Sequence, residues 1–292
     1  MTDPHNHGPL KKTATTRLWI SVGLTAFIFV LELVGGWLSN SLSLLSDAGH
    51  VFTDVMASGL ILLSIWWAAK PPSARNTYGH YRAEILATLI NGGLLLFIAF
   101  QILLAAWHRL FTTEVIRTGV MLPIAIAGLV GNGISVVLLH NDREHLATRS
   151  AYFHVLSDTI SSIGVVLAGF AIAKTGWTIL DPLMAFAIAG LILFGGYRLV
   201  KEAVSILMEA SPAHVKLEAV ERQILSVPGV EAVHDLHVWT ISSGYLSASA
   251  HIQVHPMDTR ASDAIVRGVS TRLSEEYGIT HATLQVETLP TS

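Results

Sequence analysis

The chain has 292 residues, 51% of them hydrophobic and 13% charged, with a mean hydropathy of +0.54; a soluble domain carries about a quarter of its residues as Asp, Glu, Lys and Arg, so this is the composition of a membrane protein. The formal net charge of -3 excludes the strongly basic surface that nucleic-acid binding draws on. With no cysteine and 14 histidines, disulfides, thiolate sites and cysteine nucleophiles are excluded, and any bound metal must be held by nitrogen and oxygen.

A bilayer core takes about 20 predominantly apolar residues per helix. Six segments meet that length, at 18–38, 42–67, 83–104, 120–139, 151–173 and 179–199. The first is too long for the apolar region of a signal peptide and is followed by five more, so it is expected to remain as a helix. Lys11, Lys12 and Arg17 precede the first span; Lys70, Arg75 and Arg82 join the second to the third; Arg143 and Arg149 join the fourth to the fifth. The opposite loops hold only Arg109, Arg117 and Lys174. Because basic residues in short loops favour the cytoplasmic side, both termini are expected inside.

The composition changes after Lys201, where Ser211-Pro212 ends the apolar run. Residues 215–225 read as an amphipathic helix stopped by Pro228-Gly229. Residues 230–241 and 245–254 are rich in β-branched and aromatic residues around the turn Ser242-Ser243-Gly244. Residues 261–277 read as a helix ended by Gly278, and 282–288 alternate as a strand. The organisation expected is a short cytoplasmic tail (1–17), a six-helix α-helical transmembrane domain (18–207) and a small cytoplasmic α+β domain (208–292).

The second span contains Ser46-Asp47-Ala48-Gly49-His50 through Asp54, and the fifth contains His154 through Asp158. Each carries His-x-x-x-Asp, and residues four apart share one helix face. Two such helices facing each other supply four ligands: His50, Asp54, His154 and Asp158. Two imidazoles and two carboxylates suit tetrahedral Zn²⁺, allow Co²⁺ or Fe²⁺, and disfavour Ca²⁺ and Mg²⁺. An Asp at the centre of a membrane helix costs roughly 2.5–3.5 kcal/mol on the insertion scale, so three of them demand a function. The third, Asp47, reads equally as an ion-access or proton-relay group, a helix cap, or a structural partner for Arg or Ser. Glu32, Asn91 and Asn132 are expected to hydrogen-bond between helices, and Gly128, Gly131 and Gly133 to permit close helix packing.

The charge balance suggests a mechanism. Two carboxylates, two neutral imidazoles and one Zn²⁺ sum to zero, as do two carboxylates and two imidazolium groups. One Zn²⁺ could therefore exchange for up to two H⁺ without stranding charge in low dielectric. An intramembrane zinc enzyme is the main rival, but catalytic zinc needs an open coordination position and a base such as His-Glu-x-x-His supplies, and no such motif occurs. A metal-gated channel or a membrane metal sensor would use the same ligands.

These residues resemble the cation diffusion facilitator family, in particular its bacterial zinc-type members. The carriers of the resemblance are Ser43 through Asp54, Tyr78-Gly79-His80-Tyr81-Arg82-Ala83-Glu84, Ala151-Tyr152-Phe153-His154 through Asp158, and His234-Asp235-Leu236-His237-Val238-Trp239. The resemblance implies zinc efflux in exchange for protons, alternation between inward-open and outward-open states, a homodimer, a metallochaperone-like tail and residence in a bacterial inner membrane. It assigns the transport site to His50, Asp54, His154 and Asp158, and His50 favours zinc selectivity. In the loop after the second span only His80 matches a family ligand, as a transient metal contact or a residue held against Glu84. In the tail, His234, His251 and Glu287 resemble ligands for regulatory zinc, with His237 nearby, Gln285 where some members have histidine, and Trp239 in packing. His5, His7, His140 and His145 are a trace of the histidine-rich segments that some members carry.

Overall fold

The computed structural model describes residues 12–68, 70, 73–112, 114–140, 146–242 and 244–289. His5, His7, Lys11, Arg143, His145 and Ser243 lie outside the described residues. Six long helices come first: α1 (Lys12–Ser39), α2 (Leu42–Ala68), α3 (Ala83–Leu110), α4 (Thr118–His140), α5 (Leu146–Thr175) and α6 (Leu180–Leu207). They are followed by α7 (Leu217–Leu225), β1 (Ala232–Ser242), β2 (Tyr245–Val254), α8 (Thr259–Tyr277) and β3 (Ile279–Thr288). By length and composition α1, α3, α4, α5 and α6 are apolar enough to cross a membrane. α2, the expected segment that carries Asp47, His50 and Asp54, is 27 residues long.

The long helices extend past the apolar stretches from which they are expected, α5 to 30 residues and α3 to 28. Hydropathy ends where a helix meets the headgroups, but the backbone ladder continues, since a 28-residue helix is about 42 Å long and a bilayer with its headgroup regions about 40–45 Å thick.

Chain contacts divide the molecule into two compact units, residues up to Gly59 with Asn91–Arg198, and Leu60–Ile90 with Leu199–Ser292. In the first unit α1 packs on α4 and α4 on α5. Membrane helices pack closely where a small residue admits a neighbouring side chain. A Cβ at Gly131 would strike Ile28, one at Gly35 would strike Ile124, and one at Gly128 would strike the carboxylate of Glu32. Gly133, expected to serve the same purpose, faces open space.

One end of this unit is tied by a buried carboxylate. Asp181, in the first turn of α6, is 0% exposed. Its Oδ1 accepts from the hydroxyls of Ser41 (2.7 Å) and Ser43 (2.6 Å), and its Oδ2 from the backbone N–H of Leu42 (2.7 Å). The Ser43 N–H adds a bond of 3.1 Å to Oδ1. Asp181 thus satisfies orphan donors at the start of α2 and places its charge at the positive end of that helix. Arg109 of α3 lies 3.5 Å from Oδ2 and donates to the carbonyl and side-chain oxygens of Asn40 (2.7 and 2.8 Å). Asn40 adopts φ 56 at the α1–α2 corner, a left-handed conformation that asparagine tolerates.

In the second unit the sheet order is β1-β2-β3, with β1 and β2 antiparallel and β2 and β3 parallel. The parallel pairing needs a crossover, which α8 supplies. Asp258 caps α8 by accepting from the Ala261 N–H at 2.8 Å, and Gly278 ends it at φ 67. Val220 and Ile224 of α7 and Ile265, Val269 and Leu273 of α8 join Val238 and Ile252 of the sheet in one core. The expected order of helix, two strands, helix and strand is found. Boundaries shift by up to three residues because turn residues such as Gly278 mark where a helix stops more sharply than where the next strand begins.

The clasp yields a test. Asp181→Ala leaves Arg109 without its buried partner and the α2 N-terminus uncapped, and should destabilise the folded protein by about 3–5 kcal/mol. Asp181→Asn, whose amide oxygen still accepts, should lose less. Thermal unfolding of the purified variants in detergent, followed by circular dichroism, checks both.

Candidate metal centres

His50 and Asp54 stand one turn apart on α2, and His154 and Asp158 one turn apart on α5. Each imidazole points at the carboxylate of the other helix. His50 Nε2 lies 3.3 Å from Asp158 Oδ1, His154 Nε2 lies 3.1 Å from Asp54 Oδ2, and His154 Nε2 is 3.8 Å from Asp158 Oδ2 on its own helix. The two rings meet edge to face with centroids 6.1 Å apart. Donors about 2.0–2.1 Å from one tetrahedral ion are about 3.3 Å from each other, so these separations suit a shared cation. His50, Asp54 and Asp158 each offer a donor atom within 4.8 Å of the others. His154 is the most open of the four, its side chain 46% exposed against 5% for Asp158. His154 faces Asp54 across the two helices but lies outside that three-residue group.

Asp47, one turn along α2 from His50, is 2% exposed. Ser161 donates to its Oδ1 at 3.1 Å and Ser162 to its Oδ2 at 3.2 Å, while Asn132 of α4 donates to the Ser162 hydroxyl at 3.1 Å. Of the readings open from the sequence, the structure shows Asp47 with serine partners. The signal for them was present, since Ser161 and Ser162 follow Asp158 by three and four residues, as Asp47 precedes His50 by three. Asn132 makes the expected interhelical bond. Glu32 and Asn91 depart from expectation: Glu32 Oε2 and Asn91 Oδ1 are buried and have no hydrogen-bond partner among the described residues.

A second cluster lies on the small sheet. His234 of β1 is directly opposite His251 of β2. Glu287 of β3 reaches both, with Oε2 3.0 Å from His234 Nε2 and Oε1 2.8 Å from His251 Nδ1. The donor atoms of these three residues meet the same 4.8 Å criterion. The two imidazoles, His251 foremost, hold the Glu287 carboxyl below the ordinary range for glutamate. Gln285 donates to Glu287 Oε1 at 3.1 Å, so it orients the carboxylate. The register slips between His234 and His237, and at this bulge Asp235 adopts φ 52. Asp235 Oδ1 is 3.0 Å from His237 Nε2 and Oδ2 is 3.8 Å from His251 Nε2. His237 is consequently turned to Asp235 and lies outside the three-residue cluster. Asp235 was not singled out from the sequence, because a bulge reverses the alternation on which strand reading depends.

His80 belongs to neither cluster. Its Nε2 is 3.0 Å from Asn76 Nδ2, its ring stacks on Trp67 with centroids 6.3 Å apart, and it lines a cavity of about 690 Å³ with Tyr78, Tyr81 and Trp239. Asn76 and Trp67 are thus two of its neighbours. His140 packs edge-on against Tyr152.

Comparison with known proteins accounts for both halves. Residues 18–208 match the cation efflux transmembrane domain, and residues 212–289 match the cytoplasmic domain of cation efflux proteins. The chain is 37% identical over 288 residues to a cadmium, cobalt and zinc/H(+)-K(+) antiporter of Bacillus subtilis, covering 97% of this chain and 91% of that one. It is 36% identical to the zinc transporter ZitB of Escherichia coli, over 94% of this chain and 88% of the relative. It is also 36% identical to the metal cation efflux system protein CzcD of Cupriavidus metallidurans, over 94% and 86%. With a domain match across most of its length and relatives above a third identical from end to end, the chain belongs to the cation efflux family.

Proposed function

We propose that this chain exports divalent transition-metal ions, zinc foremost, as a metal/proton antiporter working by alternating access, with His50, Asp54, His154 and Asp158 as the transport site. The observation that carries the reading is the crossed pairing of α2 and α5, in which each imidazole faces the opposite carboxylate at 3.1–3.3 Å. Membership of a family of metal transporters supports transport over hydrolysis, and the relatives' names supply zinc, cadmium, cobalt and proton antiport.

The four ligands form a neutral set in two ways. When Zn²⁺ is present it balances the Asp54 and Asp158 carboxylates, with both imidazoles neutral. When it leaves, protons on the imidazoles replace it, and the crossed contacts become charge-assisted. Neither state leaves unpaired charge in the membrane interior, so the helices can rearrange in either one. Because the ligands sit on two helices, a small shear of α2 against α5 opens the set toward one side or the other.

In our reading the chain is a homodimer in a bacterial inner membrane with both termini cytoplasmic, the transmembrane domain runs over 18–207, and the tail from 208 onward binds regulatory zinc. His234, His251 and Glu287 fit such an ion: they offer two imidazoles and a carboxylate kept ionised by its neighbours. The metal would tie β1, β2 and β3 together. His237, turned to Asp235, is left out of that set, and His80 and Asp47 take no part as ligands.

Two outcomes are expected. In proteoliposomes with an imposed pH gradient, Asp54→Ala should cut zinc flux beyond the 10–100-fold that losing an outer-shell partner costs, on the order of a hundredfold or more. Wild-type flux that ignored the gradient and moved no protons would remove the antiport. For the tail, zinc content per chain of full-length protein at neutral pH should fall by about one ion in His251→Ala and stay unchanged in His237→Ala. Glu287 is held below its usual range by His251 and His234, so it stays a carboxylate as the solution is mildly acidified.

A further inference from the structure

Glu32 is a buried carboxylate that the four-ligand site does not use. It is 1% exposed, two turns before the C-terminal end of α1, and its Oε2 has no hydrogen-bond partner among the described residues. Its Oε1 occupies the space that a Cβ on Gly128 of α4 would fill. The glycine is therefore a cradle, and every other residue type at 128 would displace the carboxylate.

The charge around Glu32 is unbalanced. Asp47 of α2 and Asp158 of α5 are near enough to act on it electrostatically. α4 presents Gly128 to it and has no ionisable residue between Thr118 and Leu139, and α1 has no other from Ile20 to Ser39. α2 contains no Lys or Arg, the Lys and Arg of α5 stand at its two ends as Arg149 and Lys174, and the imidazoles of His50 and His154 are turned to Asp158 and Asp54. Asp47 is met by two serine hydroxyls, whereas Glu32 Oε2 is met by no donor among the described residues. A zinc ion in the transport site is spent on Asp54 and Asp158. A buried carboxylate oxygen with neither a cation nor a donor is costly to keep charged, and a proton at Oε2 removes that cost.

Glu32 also lies on a particular side of the site. Asp47 is one turn nearer the α2 N-terminus than His50, and Ser161 and Ser162 are one turn nearer the α5 C-terminus than Asp158. With both termini cytoplasmic, those ends face outward. The carboxylates of Glu32 and Asp47 then stand beside the route by which a metal ion leaves.

We infer that Glu32 is a proton-binding residue of the exchange cycle: an O–H bond forms at its carboxylate from outer water as the metal departs, and the proton is released when the next metal ion arrives. The inference rests on the antiport reading and adds to it a proton carried by a residue that never touches the metal. Glu32 positions no ligand. It raises the proton capacity of the pocket beyond that of the two imidazoles.

The test uses purified full-length protein with His251→Ala in every sample, so that the membrane site alone loads. Zinc is added to weakly buffered detergent solution near neutral pH, and released protons are counted by a pH indicator while bound zinc is measured in parallel. Glu32→Gln, which has the shape of the protonated side chain and no proton to give, should bind the same amount of zinc and release about one proton fewer per ion. Glu32→Asp should restore the release. Equal release from Glu32→Gln and the parent would overturn the assignment. A parent that releases no protons on binding zinc would defeat the antiport reading and this inference with it, and so separates the two failures. If Glu32→Gln does not fold, Gly128→Ala keeps the carboxylate but denies it its seat. Its release curve against pH should be displaced from the parent's, and superposing curves would contradict the proposal.

Discussion

A carboxylate inside a membrane has to be given positive charge or hydrogen-bond donors, and this chain places five of them in its first unit: Glu32, Asp47, Asp54, Asp158 and Asp181. Where such a group is buried, the cost of an unmet charge is several kcal/mol even after relaxation. The protein meets that cost in three ways. Asp181 is permanently satisfied by serines, backbone amides and Arg109. Asp47 is held by Ser161 and Ser162. Asp54 and Asp158 face imidazoles, whose charge can come and go. The first arrangement suits a fixed joint and the last a cargo site, because an interaction that must be made and broken in every cycle cannot rest on a permanent cation.

The fixed joint conditions the proposed cargo site. Asp181 holds the start of α2, and His50 and Asp54 follow about two and three turns later on the same helix. Their angular position relative to α5 is therefore set by where α2 begins. Close packing does the same for the other wall: Gly131 admits Ile28, Gly128 admits Glu32, and α4 in turn packs on α5. Backbones brought together by glycine leave little slack, so His154 and Asp158 face α2 in a defined register.

Much of this was legible in the amino-acid order. Spans appear as apolar runs, and two His-x-x-x-Asp pairs on separate spans point to facing helices because helical periodicity fixes which residues share a face, as the contacts of His50 with Asp158 and His154 with Asp54 show. The small domain was readable from its turns, with Gly278 ending α8 where expected. What escaped reading was tertiary. That Asp181 of α6 caps α2, 139 residues earlier in sequence, depends on the helix arrangement and leaves no local pattern. Asp235 was hidden by a bulge, which breaks the two-residue period. Glu32 reads in sequence as one more interhelical hydrogen bond, since only the tertiary packing puts Gly128 where it makes room for the carboxylate and leaves Oε2 without a donor among the described residues.

The central claim is that one cation is shared by four protein ligands, two imidazoles and two carboxylates, drawn from α2 and α5. Zinc-edge X-ray absorption on full-length protein bearing His251→Ala, loaded with one zinc per chain, reads that coordination directly. The account predicts four nitrogen and oxygen neighbours at about 2.0–2.1 Å, with the multiple-scattering signature of two imidazole rings. Six oxygen neighbours without imidazole scattering, or a spectrum unchanged by His50→Ala, would contradict it.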